Sequence, residues 1–67
     1  MGAPLTYSAL VGAFLRSRAS SAEKALASER EAEWYEASLR RAIERNGFSN
    51  VRTMRVGKIV YLLKGTR

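Results

Sequence analysis

The sequence predicts an α+β fold, with two helices, the second one long, followed by a C-terminal β-hairpin. Three observations support this prediction. Apolar residues recur at helical spacing near the start, a central stretch contains no helix breaker, and the apolar period changes to two after Gly47. The 67 residues are enough for one small domain, which we take as residues 1–67.

The first helix is predicted over about residues 6–18. Thr6 or Ser8 can serve as its N-cap, and Arg16 and Arg18 carry positive charge in the last turn, where it suits the helix dipole. Its apolar stripe consists of Tyr7, Leu10, Val11, Phe14 and Leu15. That stripe makes the helix amphipathic and gives it a face for the core.

The second helix is predicted as one continuous element over about residues 21–46. Ser20 and Glu23 have the spacing of a capping box, in which the two side chains satisfy free backbone N–H groups at a helix start. No Gly or Pro interrupts the chain before Gly47, which is the expected C-cap.

A second capping box leaves another interpretation open. Ser28 and Glu31 have the same spacing, so the stretch can instead divide into a short helix near residues 21–27 and a longer one from residue 29. We favour the continuous helix because no helix breaker separates the two parts.

A β-hairpin is predicted over about residues 49–64. Its two-residue loop is Gly57-Lys58, a sequence typical of a type II′ turn. The loop aligns Val56 with Ile59, Met54 with Tyr61, and Arg52 with Leu63 on one face. We expect that face to pack against the helices.

The other face of the hairpin predicts self-association. It carries three apolar residues among basic ones, and an isolated hairpin face of this kind gains stability when it is covered. A chain this short, with no cysteine for a disulfide, also depends more on assembly for its stability. We therefore expect a homo-oligomer. Its predicted interface consists of Trp34, Val51, Val60 and Leu62.

Positive charge is concentrated in the second half of the chain. Residues 1–36 contain four Lys or Arg against five Glu, whereas residues 37–67 contain eight against one. A surface of one sign attracts polyanions, so this half predicts a nucleic-acid interface. The predicted contacts are Arg40, Arg41, Arg45, Arg52, Arg55, Lys58, Lys64 and Arg67. The alternative is a solvated basic face in which Arg40 pairs with Glu36.

Missing residue types argue against enzymes. The chain has no His, Cys, Asp or Gln, so the usual zinc sites and Cys- or His-based nucleophiles are excluded. We expect no catalytic residues, no metal, no cofactor and no small-molecule substrate. The longest mostly apolar run, residues 5–15, is shorter than the 20 or so residues of a spanning helix, so no membrane insertion is expected.

Two local resemblances accompany this interpretation. A helix, then Gly47-Phe48, then a basic hairpin resembles the recognition helix and wing of winged-helix proteins. The segment also reads Gly47-Phe48-x-Asn50-Val51-x-x-x-Arg55-Val56-Gly57-Lys58-Ile59. This pattern is similar to the helix–hairpin segment of the phosphoribosylformylglycinamidine synthase small subunit, over residues 37–64 at most. That similarity implies the hairpin and an oligomeric habit, and not a role in purine synthesis.

The sequence therefore predicts a non-enzymatic, homo-oligomeric protein that binds double-stranded DNA largely without regard to sequence. Abundant Arg without Gln or Asp favours phosphate contacts, which carry no sequence information directly. A nucleoid-like protein or a viral DNA-packaging or coat protein fits, which implies an intracellular (cytoplasmic or nucleoid) or virion location. Two alternatives are a winged-helix-like transcriptional regulator and a structural or accessory subunit that binds an acidic protein. RNA remains open as the nucleic acid.

Overall fold

The computed structural model describes residues 6–65, in which two helices pack on one face of a three-stranded antiparallel sheet. The elements are α1 (Tyr7–Arg16), β1 (Ser21–Ala25), α2 (Glu29–Asn46), β2 (Val51–Val56) and β3 (Ile59–Lys64). The strand order is β1-β3-β2. The predicted fold class is confirmed, because the second helix is the longer one and the β2–β3 hairpin follows it.

α1 begins and ends at short polar side chains. The Thr6 hydroxyl accepts a hydrogen bond from the Ala9 amide at 3.1 Å, which satisfies one of the free N–H groups of the first turn. At the other end, the Ser17 hydroxyl donates to the Phe14 carbonyl at 2.7 Å, and Ser17 itself has extended backbone. The helix therefore ends at Arg16, two residues before the predicted boundary.

α2 begins at Glu29, so the prediction of a continuous helix over residues 21–46 is wrong. The Ser28 hydroxyl accepts from the Glu31 amide at 3.2 Å, which is the N-cap of the alternative interpretation. The short helix of that alternative, near residues 21–27, is also wrong, because most of this stretch is strand β1.

Pairing with β3 explains why this segment is extended. β1 pairs antiparallel with β3, from Ser21 opposite Leu63 to Ala25 opposite Ile59. The ladder satisfies backbone groups along the edge of β3 that faces away from β2, a gain that the local helix preference of Ala, Glu and Lys does not offset. Helix propensity is a weak preference that tertiary pairing overrides here.

The turn and cap glycines behave as predicted. Gly47 ends α2 with φ of 70°, and its amide donates to the Glu44 carbonyl at 3.3 Å. Gly57 has φ of 60° in the hairpin turn. Both lie in the left-handed region that favours glycine. The predicted register is also confirmed, since Val56 lies opposite Ile59 and the later pairs follow in step.

The predicted orientation of the hairpin is wrong. Val51, Val60 and Leu62 are 7%, 2% and 4% exposed and belong to the core with α1 and α2. They therefore lie inside the chain and are not available as an oligomer interface. The face expected to pack on the helices is instead the outer face, where Met54 is 46% exposed and Val56 is 59% exposed.

Two basic side chains lie on the hairpin face that packs on the helices, and both find partners there. Both Arg55 and Lys64 lie on the same face as Val60 and reach partners at the edge of the core. Arg55 lies 3.5 Å from a Glu33 carboxylate oxygen. The Lys64 ammonium donates to the Ser17 carbonyl and lies 5.3 Å from the centre of the Phe14 ring. Because long basic side chains cover apolar surface with their methylenes, the basic residues do not keep this face in water.

Candidate nucleic-acid interface

The long helix α2 presents a different chemistry on each side. Its buried side carries Ala32, Leu39 and Ala42, which face the core. The flank next to β2 is acidic, and there the Thr53 hydroxyl donates to a Glu36 carboxylate oxygen at 2.6 Å. This flank ties the helix to the sheet, which leaves the side facing away from the core free to meet a partner.

That free side carries three arginines and a tryptophan. Arg30, Trp34, Arg41 and Arg45 are all exposed. At 3.6 residues per turn, their spacing places them within about 60° of the helix circumference, and no glutamate of α2 falls in this arc. Arg45 lies 15 positions after Arg30, so the two are about 22 Å apart along the helix at 1.5 Å per residue. We call these four residues the α2 ridge.

Trp34 lies in the middle of the ridge and is mostly exposed. The residue is 61% exposed, and its ring meets the Tyr7 ring edge-on with centroids 6.0 Å apart. Tyr7 in turn packs edge-on against Tyr35 at 5.6 Å. Burial and the neighbouring Tyr7 raise the pKa of Tyr35, so the Tyr35 phenol stays neutral at physiological pH. The indole face therefore remains open beside the guanidinium groups.

An open groove runs along the C-terminal part of the ridge. Arg41 and Arg45 form one wall and the start of α1, residues 6–8, forms the other, with a volume of about 350 Å³ between them. The Asn46 side-chain amide donates to the Ser8 hydroxyl at 2.7 Å and so holds the two walls together. The first turn of a helix has backbone N–H groups without helical acceptors and a positive partial charge. Both walls therefore favour an anionic group.

Three of the predicted nucleic-acid contacts are engaged by groups of the chain itself. The Arg40 guanidinium donates to Glu36 at 2.7 Å, as the alternative of a solvated, self-paired face predicted. Arg55 contacts Glu33 and donates to the Gly57 carbonyl at 2.9 Å. Lys64 is engaged by the Ser17 carbonyl. Because their charges are used within the chain, these side chains are poor candidates for phosphate contacts.

The remaining predicted contacts lie in separate places. Arg41 and Arg45 belong to the ridge, whereas Arg52 lies on the outer face of the sheet and Lys58 lies at the hairpin turn. Arg67 lies outside the described residues. The seven of these basic residues that the structure describes therefore do not form one surface.

Arg30 is the ridge residue that sequence reasoning missed. It was assigned no role because it stands in the half of the chain with balanced charge, where glutamates surround it. The signal that could have found it is the spacing of residues 30, 34, 41 and 45, which brings them to one side of any helix that spans them. A count of charges along the chain does not reveal this cluster. A count of charges on each face of the helix does.

Within residues 6–65 there is no cluster of three or more acidic, His or Cys side chains that could hold a metal ion. In the same part of the chain, no helix is long and apolar enough to cross a membrane. Comparison with known proteins found no matching family model, no matching curated protein and no matching solved structure. The α2 ridge is the candidate functional surface in this part of the chain.

Proposed function

We propose that this protein binds double-stranded DNA without catalysis and that the α2 ridge is its contact surface. The observation that carries the proposal is the clustering of Arg30, Arg41 and Arg45 on one exposed side of α2, apart from the acidic flank. An α-helix fits the major groove of B-DNA, which is about 12 Å wide. Along the roughly 22 Å of the ridge, a duplex presents one phosphate charge per 1.7 Å or so of axis.

The side chains of the ridge favour binding that is largely independent of sequence. Arg41 and Arg45 border the groove beside the start of α1, where a backbone phosphate can accept from both guanidinium groups and from free N–H groups. Trp34 offers an apolar surface between the charges. No Asn or Gln stands on the ridge to pair with adenine. Phosphate contacts therefore dominate the expected affinity.

A winged-helix-like regulator is the second candidate, and one contact favours it. The Leu26 amide donates to the Lys58 carbonyl at 2.8 Å, which holds the hairpin turn beside the start of α2. A basic turn in this position can contact a second stretch of backbone while α2 occupies a groove. Under this candidate, affinity differs strongly among duplexes of the same length, whereas under the main proposal it does not.

The single tryptophan provides a direct test. Because Trp34 is the only Trp and lies on the ridge, its fluorescence should change when a random-sequence duplex of about 20 bp is added. Affinity should fall with salt at a log–log slope of about −0.9 per phosphate neutralised. Replacing both Arg41 and Arg45 by Ala should reduce the magnitude of that slope by up to about 1.8.

A matched control removes the same charge elsewhere. Arg16 and Arg18 are exposed at the far end of α1, about 15 Å along the helix from the groove. The Arg16→Ala/Arg18→Ala variant should leave the salt slope close to that of the wild type. If both double variants weaken binding equally, net charge explains it and the ridge proposal fails. Binding to an acidic protein but not to any duplex would instead favour the accessory-subunit alternative.

A further inference from the structure

The outer face of the sheet is largely apolar on β2 and β3, with charged residues toward its two edges. It is formed by the side chains that point away from the helices, and six of these are Ala25, Met54, Val56, Ile59, Tyr61 and Leu63. A three-stranded sheet with one solvated face usually alternates apolar and polar residues along each strand. β3 does not alternate, since both of its faces are apolar over residues 59–63. Such a strand is typical of a sheet that is covered on both sides.

We infer that a second copy of this chain covers the outer face, with the two sheets packed face to face. The charges on the face support this occupant. Glu23 lies on the β1 edge and Arg52 lies on the β2 edge, on opposite sides of the central strand β3. A two-fold axis parallel to β3 places the β1 edge of one copy over the β2 edge of the other. Glu23 then lies level with the partner's Met54 and about 7 Å along the strand from the partner's Arg52, a gap that the long arginine side chain can span, twice per dimer.

Several other pairings of two copies place like charges together. A two-fold axis in the plane of the sheet and perpendicular to the strands puts Glu23 opposite Glu23 of the partner subunit. Two copies can also pair edge to edge through antiparallel β1 strands. A pairing centred on Glu23 sets the two Glu23 side chains opposite each other, and one centred on Lys24 sets the two lysines opposite each other. Directly opposed like charges destabilise a sheet or an interface. Among these arrangements, the axis parallel to β3 is the one that brings opposite charges together.

The size of the face sets the strength of the association. Three strands about 4.8 Å apart and five residues long cover about 14 by 17 Å, or roughly 240 Å² of projected surface. A standard stable interface buries about 800 Å² on each partner. The dimer is therefore weak and depends on protein concentration, which distinguishes it from an obligate assembly.

Sedimentation equilibrium without DNA tests the inference independently of the proposed function. The wild type should shift from monomer to dimer as its concentration rises toward about 1 mM. Met54→Glu places a charge in the middle of β2 on this face without touching the core and should raise the dimer dissociation constant at least tenfold. Ala13→Glu adds the same charge at an exposed position on α1 and should leave the constant within about twofold.

Charge reversal tests the orientation of the two copies. Glu23→Arg and Arg52→Glu should each weaken the dimer, and the double variant should restore the wild-type dissociation constant, because the pair then has exchanged signs. A wild type that stays monomeric at about 1 mM overturns the inference and assigns the face to a different partner. A dimer that Met54→Glu does not weaken, or a double variant without recovery, also overturns it.

Discussion

Glu36 shows how a single side chain joins two elements of this small domain. Its carboxylate accepts from the Thr53 hydroxyl on β2 and from Arg40 one helical turn further along α2, and the side chain is only 17% exposed. Partial burial alone would raise the pKa of Glu36. The hydrogen bonds from Thr53 and Arg40, together with the charges of Arg40 and Arg55, outweigh it and lower the pKa below its ordinary value.

This lowered pKa makes the stability of the domain dependent on pH. Because the folded-state pKa is below the ordinary value of a glutamate, the ionised carboxylate stabilises the fold above that ordinary value and loses its effect as pH falls through the folded pKa. Glu36→Gln should lower the free energy of unfolding by about 1 kcal/mol at neutral pH. Urea unfolding at several pH values should show this difference shrinking toward zero in acid.

Glu44→Gln is the matched control for Glu36→Gln. It removes the same charge from an exposed position on the same helix, so it should leave the unfolding free energy nearly unchanged across the pH range. A Glu36→Gln deficit that stays constant down to strongly acidic pH would mean that the carboxylate charge is not what stabilises this contact.

Leu62 has a different role from the one that the sequence predicted. At 4% exposure it packs in the core, so Leu62→Ala should lower the unfolding free energy by about 2–4 kcal/mol. In a domain of this size that loss is a large share of the total stability. Thermal unfolding followed by circular dichroism measures it. If Leu62→Ala leaves the free energy of unfolding nearly unchanged but abolishes self-association, Leu62 lies at an oligomer interface, as the sequence predicted.

At the scale of elements, two serines compete to begin the second helix. The structure uses Ser28, whose hydroxyl accepts from the Glu31 amide, and leaves Ser20 just ahead of β1. Ser28→Ala should lower the unfolding free energy by about 1 kcal/mol, the usual cost of losing an N-cap. Ser20→Ala should cost much less. Chemical denaturation of the two variants compares them, and a larger loss at Ser20 would contradict this helix boundary.

The sequence predicts the local features of these elements well. The α1 cap, the Gly47 cap and the hairpin register depend on residues close in the chain, and all three agree with the structure. β1 was missed because its extended form depends on a partner strand about 40 residues away. The face of the hairpin that packs on the helices was predicted wrongly, because both faces of β3 are apolar and the period-two pattern does not distinguish them.

The candidate site was only half predictable for a related reason. Arg41 and Arg45 were identified from charge, but their separation from Arg40 depends on which flank of α2 meets β2. The engagement of Lys64 by the Ser17 carbonyl joins residues far apart in the chain. Charge counts along a sequence reveal neither the partners that neutralise a side chain nor the face from which it projects.

At the scale of the whole molecule, the two proposed surfaces lie on opposite sides. The α2 ridge projects away from the core, and the outer face of the sheet projects away from the helices. A dimer formed through the sheets therefore carries its two ridges on its two outer sides. This geometry does not suit two adjacent half-sites on one duplex, which call for both helices on the same side. It suits the joining of two separate duplexes.

Bridging of two duplexes is the prediction that follows from both proposals together. When biotin-labelled and dye-labelled duplexes are mixed on streptavidin beads, the wild type should retain the dye-labelled duplex at protein concentrations where the dimer forms. Met54→Glu should still bind each duplex through the ridge but retain little dye. Ala13→Glu should behave like the wild type, because it adds the same charge away from the sheet face. Arg41→Ala/Arg45→Ala should lose both binding and bridging while it still dimerises without DNA. Bridging by Met54→Glu equal to that of the wild type would show that the sheet faces do not join the two copies.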